Sequence, residues 1–262
     1  MTPGFAQPRS KLPWLPYESL DRVIINAHNF TPAAFDPSVN GKTPDSAWIA
    51  SRDTVGNGTS TLYDLTGTNN GTLTNMTTPA SNWVADTGAG GVRAIEFDGS
   101  NDYVALANPS LGTGNFTISA WFKTSGGGRQ AIINSYTSGD VGVIFDVLAG
   151  GKVRFACVQV SGGRLILADS VASYNDGNWH FAMAVRDGLA SGKLYVDGSV
   201  VSVTGIGDAN VNTASMRIGA VVSGYSGFMA GRIDDVRLWK QALNASDESY
   251  LRNSGSGRGR SA

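Results

Sequence analysis

The 262-residue chain holds a single cysteine, two histidines and, past residue 44, only two prolines. Cys157 by itself cannot close an intramolecular disulfide, so the fold must hold without staples. It lies within 153–158, a strand-like stretch, and reads as a buried, inert thiol. One cysteine and two histidines do not make a zinc site. Charge is scarce too, at 16% of residues, and nearly balanced, with 20 basic against 21 acidic side chains. That balance excludes bulk nucleic-acid binding, which leaves a clear basic excess. No run of 18 apolar residues exists, so no membrane span is expected. The first twenty residues also lack the apolar core of a secretory signal. The expectation is a protein made in a reducing cytoplasm and not exported by a signal peptide.

Glycine, in contrast, is abundant, at 34 residues, and 41% of the chain is hydrophobic. This suits short strands joined by tight turns rather than a helical bundle. Seven of the nine prolines fall at 3, 8, 13, 16, 32, 37 and 44. Each fixes φ and removes a backbone donor, so residues 1–45 read as an extended arm. The arm carries Phe5, Leu12, Trp14, Leu15 and Tyr17, too much apolar surface for a solvated linker. It is expected either to fold over its own domain or to dock on a neighbouring subunit.

Residues 46–252 read as one all-β domain, and 253–262 as a flexible basic tail. Phe116, Ile118, Ala120 and Phe122 recur with period two and share one strand face. Strands are predicted over 141–148, 152–160, 164–169, 179–185, 193–196, 199–203, 216–222 and 231–239. Asp197-Gly198 is the strongest hairpin signal, because both residues enter positive φ readily. Only 242–252 reads as a helix, with Asn244 or Ser246 as its cap and Asp247 and Glu248 in its first turn. A dozen short strands with frequent turns predict an antiparallel two-sheet jelly-roll sandwich.

Six segments, in order, resemble one family. They are Asp64-Leu-Thr-Gly with Asn70-Gly-Thr-Leu, the stretch 95–104 (IEFDGSNDYV), 116–121 (FTISAW), 177–180 (GNWH), 194–198 (LYVDG) and 231–239 (GRIDDVRLW). The chain resembles a laminin-G-like or pentraxin-like jelly roll of the concanavalin A-like lectin/glucanase superfamily. The resemblance covers about Trp48 to Arg252 and implies the fold, while the family's functions range from lectins to enzyme appendages and coat components.

Glu96-Phe97-Asp98 is similar to the Glu-x-Asp-x-x-Glu strand of glucanases with this fold, but position 101 is Asn. Retaining hydrolysis needs two carboxylates about 5–5.5 Å apart, and an amide cannot donate and reclaim a proton. No Gly-x-Ser-x-Gly elbow is present and His28 stands alone, so the chain is expected not to be an enzyme. His180, after Trp179, is expected to be packed and hydrogen-bonded. No cofactor is required. The resemblance implies a structural Ca²⁺ held by Asp98, the backbone oxygen of Gly99, and Asp234, with Asn101 and Asp102 nearby; hard cations take six to eight such oxygens. The alternative is that Asp98 caps its own turn and that Asp234 pairs with Arg232 or Arg237. Asp234-Asp235 breaks the strand alternation as a β-bulge would. For glycan, the candidates are the loop residues Tyr136, Tyr174 and Tyr225, although loop tyrosines more often seal the sandwich ends.

Two functions follow as expectations. The first is a non-enzymatic virion protein of decoration or tail-fibre type, set in a bacteriophage. It would be anchored through its arm to other virion or shell proteins, form a homo-oligomer, and touch host surface polysaccharide. The second is a soluble carbohydrate-binding module with no assembly role.

Overall fold

A computed structural model describes residues 38–67, 69–85, 93–107, 109–137, 141–159, 163–188, 191–204, 210–222 and 226–252. The arm residues Phe5, Leu12, Trp14, Leu15 and Tyr17, the loop residue Tyr225 and the tail lie outside them. Sixteen strands and two helices make up the described part. In chain order they are β1 (Ser46–Trp48), β2 (Thr61–Leu62), β3 (Gly71–Thr74), α1 (Pro79–Asn82), β4 (Trp83–Ala85), β5 (Arg93–Asp98), β6 (Tyr103–Ala107), β7 (Phe116–Thr124) and β8 (Gln130–Asn134). They continue with β9 (Gly142–Val147), β10 (Lys152–Gln159), β11 (Gly163–Ser173), β12 (Trp179–Arg186), β13 (Ser191–Val196), β14 (Ser199–Thr204), β15 (Ser215–Ile218), β16 (Ala230–Trp239) and α2 (Ala245–Arg252).

The strands form two antiparallel eight-stranded sheets. One runs β14-β13-β12-β7-β16-β5-β4, with β1 also paired to β16, and the other β11-β10-β9-β8-β15-β6-β3-β2. Neighbours such as β7 and β16, or β6 and β15, are far apart in sequence, which is the crossover pattern of a jelly roll. The predicted fold class is therefore the observed one. The alternation in β7 works as read: Phe116, Ile118, Ala120 and Phe122 enter the core between the sheets with Phe145, Phe155 and Cys157. Burial pushes the Cys157 thiol up to about 12, so it stays a protonated apolar group.

The other face of β7 is covered as well. Trp121, Phe181, Met183, Val185 and Trp239 form a second apolar cluster with Val39, Leu243 and Leu251. This layer explains why β12 and β16 are buried on both faces. It also moves the start of the sandwich. Val39 is fully buried, it and Lys42 exchange backbone hydrogen bonds, and Trp239 Nε1 donates to the Lys42 carbonyl at 3.1 Å. Asp45 N donates to the Leu238 carbonyl. Residues 38–45 thus belong to the domain, whereas proline spacing alone placed the boundary at 46.

Two turns are built as expected. Asp197 and Gly198 adopt φ of +48° and +85° between β13 and β14, the left-handed pair that a two-residue hairpin demands. The register of β16 against β7 slips between Asp234 and Arg237, and Asp235 has φ +52°, which is the bulge. The run predicted over 216–222 is shorter, because β15 stops at Ile218. The helix keeps its predicted end and begins at Ala245. Among the described residues, no helix is long and apolar enough to cross a membrane.

Candidate functional site

The carboxylates expected to hold calcium are not brought together. Asp98 pairs in register with Ala230, four residues before Asp234 on β16, or about 13 Å at strand rise. Asp98 Oδ1 instead accepts the backbone N–H groups of Ser100, Asn101 and Asp102, closing its own turn. Those donors hold its carboxyl below the usual range. Gly99 is at φ +78°, and a Cβ there would stand 2.7 Å from that of Ala230. Asp102 is raised by burial and by the Asp98 charge, and accepts from Asn82 Nδ2 and the Asp98 N–H. Asp234 is buried and accepts the Ser51 N–H at 3.3 Å. Arg237 pairs with Asp235, through Nε at 2.5 Å and Nη2 at 2.9 Å, and Arg232 pairs with Glu96. Among the described residues, no group of three or more His, Cys, Asp or Glu is arranged to hold a metal ion.

Of the three candidate tyrosines, Tyr136 and Tyr174 are described, and both are buried. Tyr136 is 7% exposed and packs with Ile144, Ala156 and Val158, while Tyr174 is 9% exposed and meets the His180 ring edge-on at 5.0 Å. Tyr174 joins the core between the sheets and Tyr136 a separate small cluster, so both are buried rather than exposed to a sugar. His180 is packed and hydrogen-bonded as expected, between Asp176 and Asp197.

A different group of residues lines an open cleft of about 630 Å³, formed by the 39–42 hairpin and α2. Its wall carries Asn40, Lys42, Asn244, Ser246, Asp247, Ser249 and Tyr250. Local sequence builds each side. Asn40 and Gly41 make the hairpin tip, with φ +49° and +79°. Asn244 caps α2, its Oδ1 accepting from Ser246 N at 2.9 Å and Asp247 N at 3.3 Å, and its own N–H donates back to Asp247 Oδ2 at 2.9 Å. This reciprocal pair is a capping box with Asp in the acidic place.

Asp247 is the hub. It is 1% exposed, accepts Asn40 Nδ2 on Oδ1 at 2.9 Å and Lys42 Nζ on Oδ2 at 2.5 Å. Burial opposes its charge, yet the bonds from Lys42, Asn244 and Asn40 outweigh this and hold its carboxyl below the usual range. The exposed rim offers amides from Asn40 and Asn244, hydroxyls from Ser246 and Ser249, and the ammonium of Lys42. Half-buried Tyr250, packed on the outer apolar cluster, forms an aromatic wall. Sequence reading missed the cleft because Asn40 and Lys42 fell in the arm and Asp247 was read only as a helix-dipole residue. The Asn244-x-x-Asp247 spacing was the one local signal available.

Two antiparallel sheets, with a helix and hairpin laid over one outer face, define a lectin-like jelly-roll sandwich. Residues 98–247, more than half of the chain, match the Laminin_G_3 family of the concanavalin A-like lectin/glucanases superfamily, and the chain belongs to it. No curated protein sequence matches the chain. Among solved structures, the fold is similar to the binding domain of Paraclostridial Mosquitocidal Protein 1, at 16% identity and TM-score 0.53, over 66% of this chain and 45% of that one. It is also similar to the botulinum neurotoxin serotype D binding domain, at 16% identity and TM-score 0.58, over 80% of this chain and 51% of that one. The chain thus spans about half the length of these toxin domains.

Proposed function

We propose that the chain is a non-catalytic glycan-binding module whose ligand lies in the cleft between the 39–42 hairpin and α2. The observation that carries this is the lining: amides, hydroxyls and one lysine beside an aromatic wall, in a hollow of about 630 Å³. Sugars are bound by polar groups that exchange hydrogen bonds with hydroxyls, beside an aromatic or apolar surface for the ring face. Membership of a lectin and glucanase superfamily agrees with such a ligand. Binding rather than hydrolysis is supported by the acids themselves. Asp98 closes its own turn, Glu96 pairs with Arg232, and Asn101 replaces the second acid.

The test is a glycan array followed by calorimetry on the strongest hit, with Asn40→Ala and Tyr250→Ala. Each variant should keep its melting temperature within a few degrees and lose about tenfold in affinity, as expected when one hydrogen bond or ring contact is removed. Unchanged affinity in both would reject the cleft.

The sequence supports one further setting, display on a virion through the arm. Five large apolar side chains among closely spaced prolines suit docking on a neighbouring protein. Light scattering of the full chain against a chain lacking residues 1–36 tests it. An oligomer that becomes a monomer supports docking in trans, and an unchanged mass counts against it.

A further inference from the structure

The charges inside the cleft specify more than its location. Among the described residues, Lys42 is the only cation on the wall and Asp247 the only anion, and they bond each other. Glu248 and Arg252, the ionic residues next along α2, also pair together, Nε to Oε1 at 2.8 Å. The described lining is therefore neutral.

Asp247 lines the cleft but is 1% exposed, with both carboxylate oxygens already engaged by Asn40 and Lys42. What it does is position two groups that can touch a ligand. Its two oxygens hold the Asn40 amide and the Lys42 ammonium at the rim, while its capping box fixes α2 beside them. The Lys42 ammonium keeps N–H groups free for ligand, because only one is engaged by Asp247. With its charge already balanced, it serves as a donor to a hydroxyl and gains little from an anion. A free lysine at the same place would draw sialic acid, uronate or sulfate. The paired one does not.

Resting on the glycan-binding reading above, we infer that the cleft selects uncharged polyhydroxylated sugars over their acidic counterparts, with Asp247 as the positioning residue that enforces the choice. Hydroxyls both donate and accept, matching the mixture of amide, hydroxyl and ammonium groups left on the rim. An acidic sugar would bring one uncompensated negative charge close to the Asp247 carboxylate.

The experiment uses an array of matched oligosaccharide pairs, one member neutral and the other sialylated or sulfated, read with the full chain and two variants. The wild type should bind neutral members at least as well as acidic ones. Asp247→Asn leaves Lys42 unopposed and should raise the acidic-to-neutral ratio by about two- to fivefold, the range an exposed ion pair supports. Lys42→Gln, which disturbs the fold less, should lower that ratio. Wild-type preference for the acidic members, lost in Lys42→Gln, would overturn the selectivity while leaving the glycan-binding reading standing. No binding to any member by a chain with native circular dichroism would overturn both.

Discussion

His180 Nδ1 lies 2.7 Å from Asp197 Oδ2, and on its far side Nε2 lies 2.9 Å from Asp176 Oδ1. Only the doubly protonated ring donates to both carboxylates. Asp197 is also the turn residue between β13 and β14, and its other oxygen accepts the Phe181 N–H. One imidazolium thus ties the 174–178 loop to β12 and to the 197–198 turn. Burial disfavours its charge, but the bonds to Asp197 and Asp176 prevail and raise its pKa above 6.5. Asp176 is lowered, chiefly by the same bond.

The sign of the resulting pH dependence follows by linkage. A raised histidine stabilises the fold fully below about pH 6.5, and the contribution fades as pH rises through the folded value. The lowered Asp176 contributes above about pH 4 and is lost on acidification. The melting temperature should therefore fall from pH 6 toward pH 9. His180→Gln should flatten that slope, costing about 1 kcal/mol at pH 6, since water already screens half-exposed Asp176. Thermal melts at four pH values check it, and an equal slope in the variant would exclude the pair as its source.

Asp146 and Arg129 form a second ion pair, on the outer side of β9. Asp146 is fully buried, and burial pushes its carboxyl up despite the nearby guanidinium. Asp146→Ala should cost about 1–3 kcal/mol, because it leaves the partly exposed Arg129 without its partner. Removing both charges, as in Asp146→Leu with Arg129→Leu, should recover most of that loss in urea unfolding.

Gly231 passes so close to β7 that a Cβ would stand 2.1 Å from the Lys123 carbonyl oxygen. Backbone cannot yield as a side-chain tip can. Gly231→Ala should destabilise by about 2 kcal/mol or more, whereas Gly127→Ala, which meets nothing within 4 Å, should stay within about 0.5 kcal/mol. Chemical denaturation of the two variants side by side distinguishes them.

Asn244→Ala removes the cap of α2 and should cost about 1 kcal/mol. Because Asn244 also fixes Asp247, glycan affinity should fall together with stability. Asn244→Asp, which restores an acceptor, should recover the stability, as measured by melting and calorimetry.

Much of the architecture was present in local pattern. The period-two alternation of Phe116–Phe122 reports a strand, because successive side chains point to opposite faces. Asp197-Gly198 reports a hairpin, because positive φ is costly for most other residues. Cys157 reports a core position by the apolar run around it. Asn244 reports a cap by the acid three residues later. Each of these depends on neighbours within a few positions, so the chain carries it without reference to its fold.

What the sequence could not determine is what meets across the sandwich. Lys42 and Asp247 stand 205 residues apart in sequence and bond only because β16 returns beside β1 and carries α2 back over the hairpin. Asp98 and Asp234 have the right chemistry for one ion, yet strand register spaces them along neighbouring strands. Tyr136 and Tyr174 have loop-like surroundings in sequence and buried ones in space. Local alternation encodes which face of a strand is apolar; strand order and register decide which distant side chains share a cleft, and those are set by the packing of the whole domain.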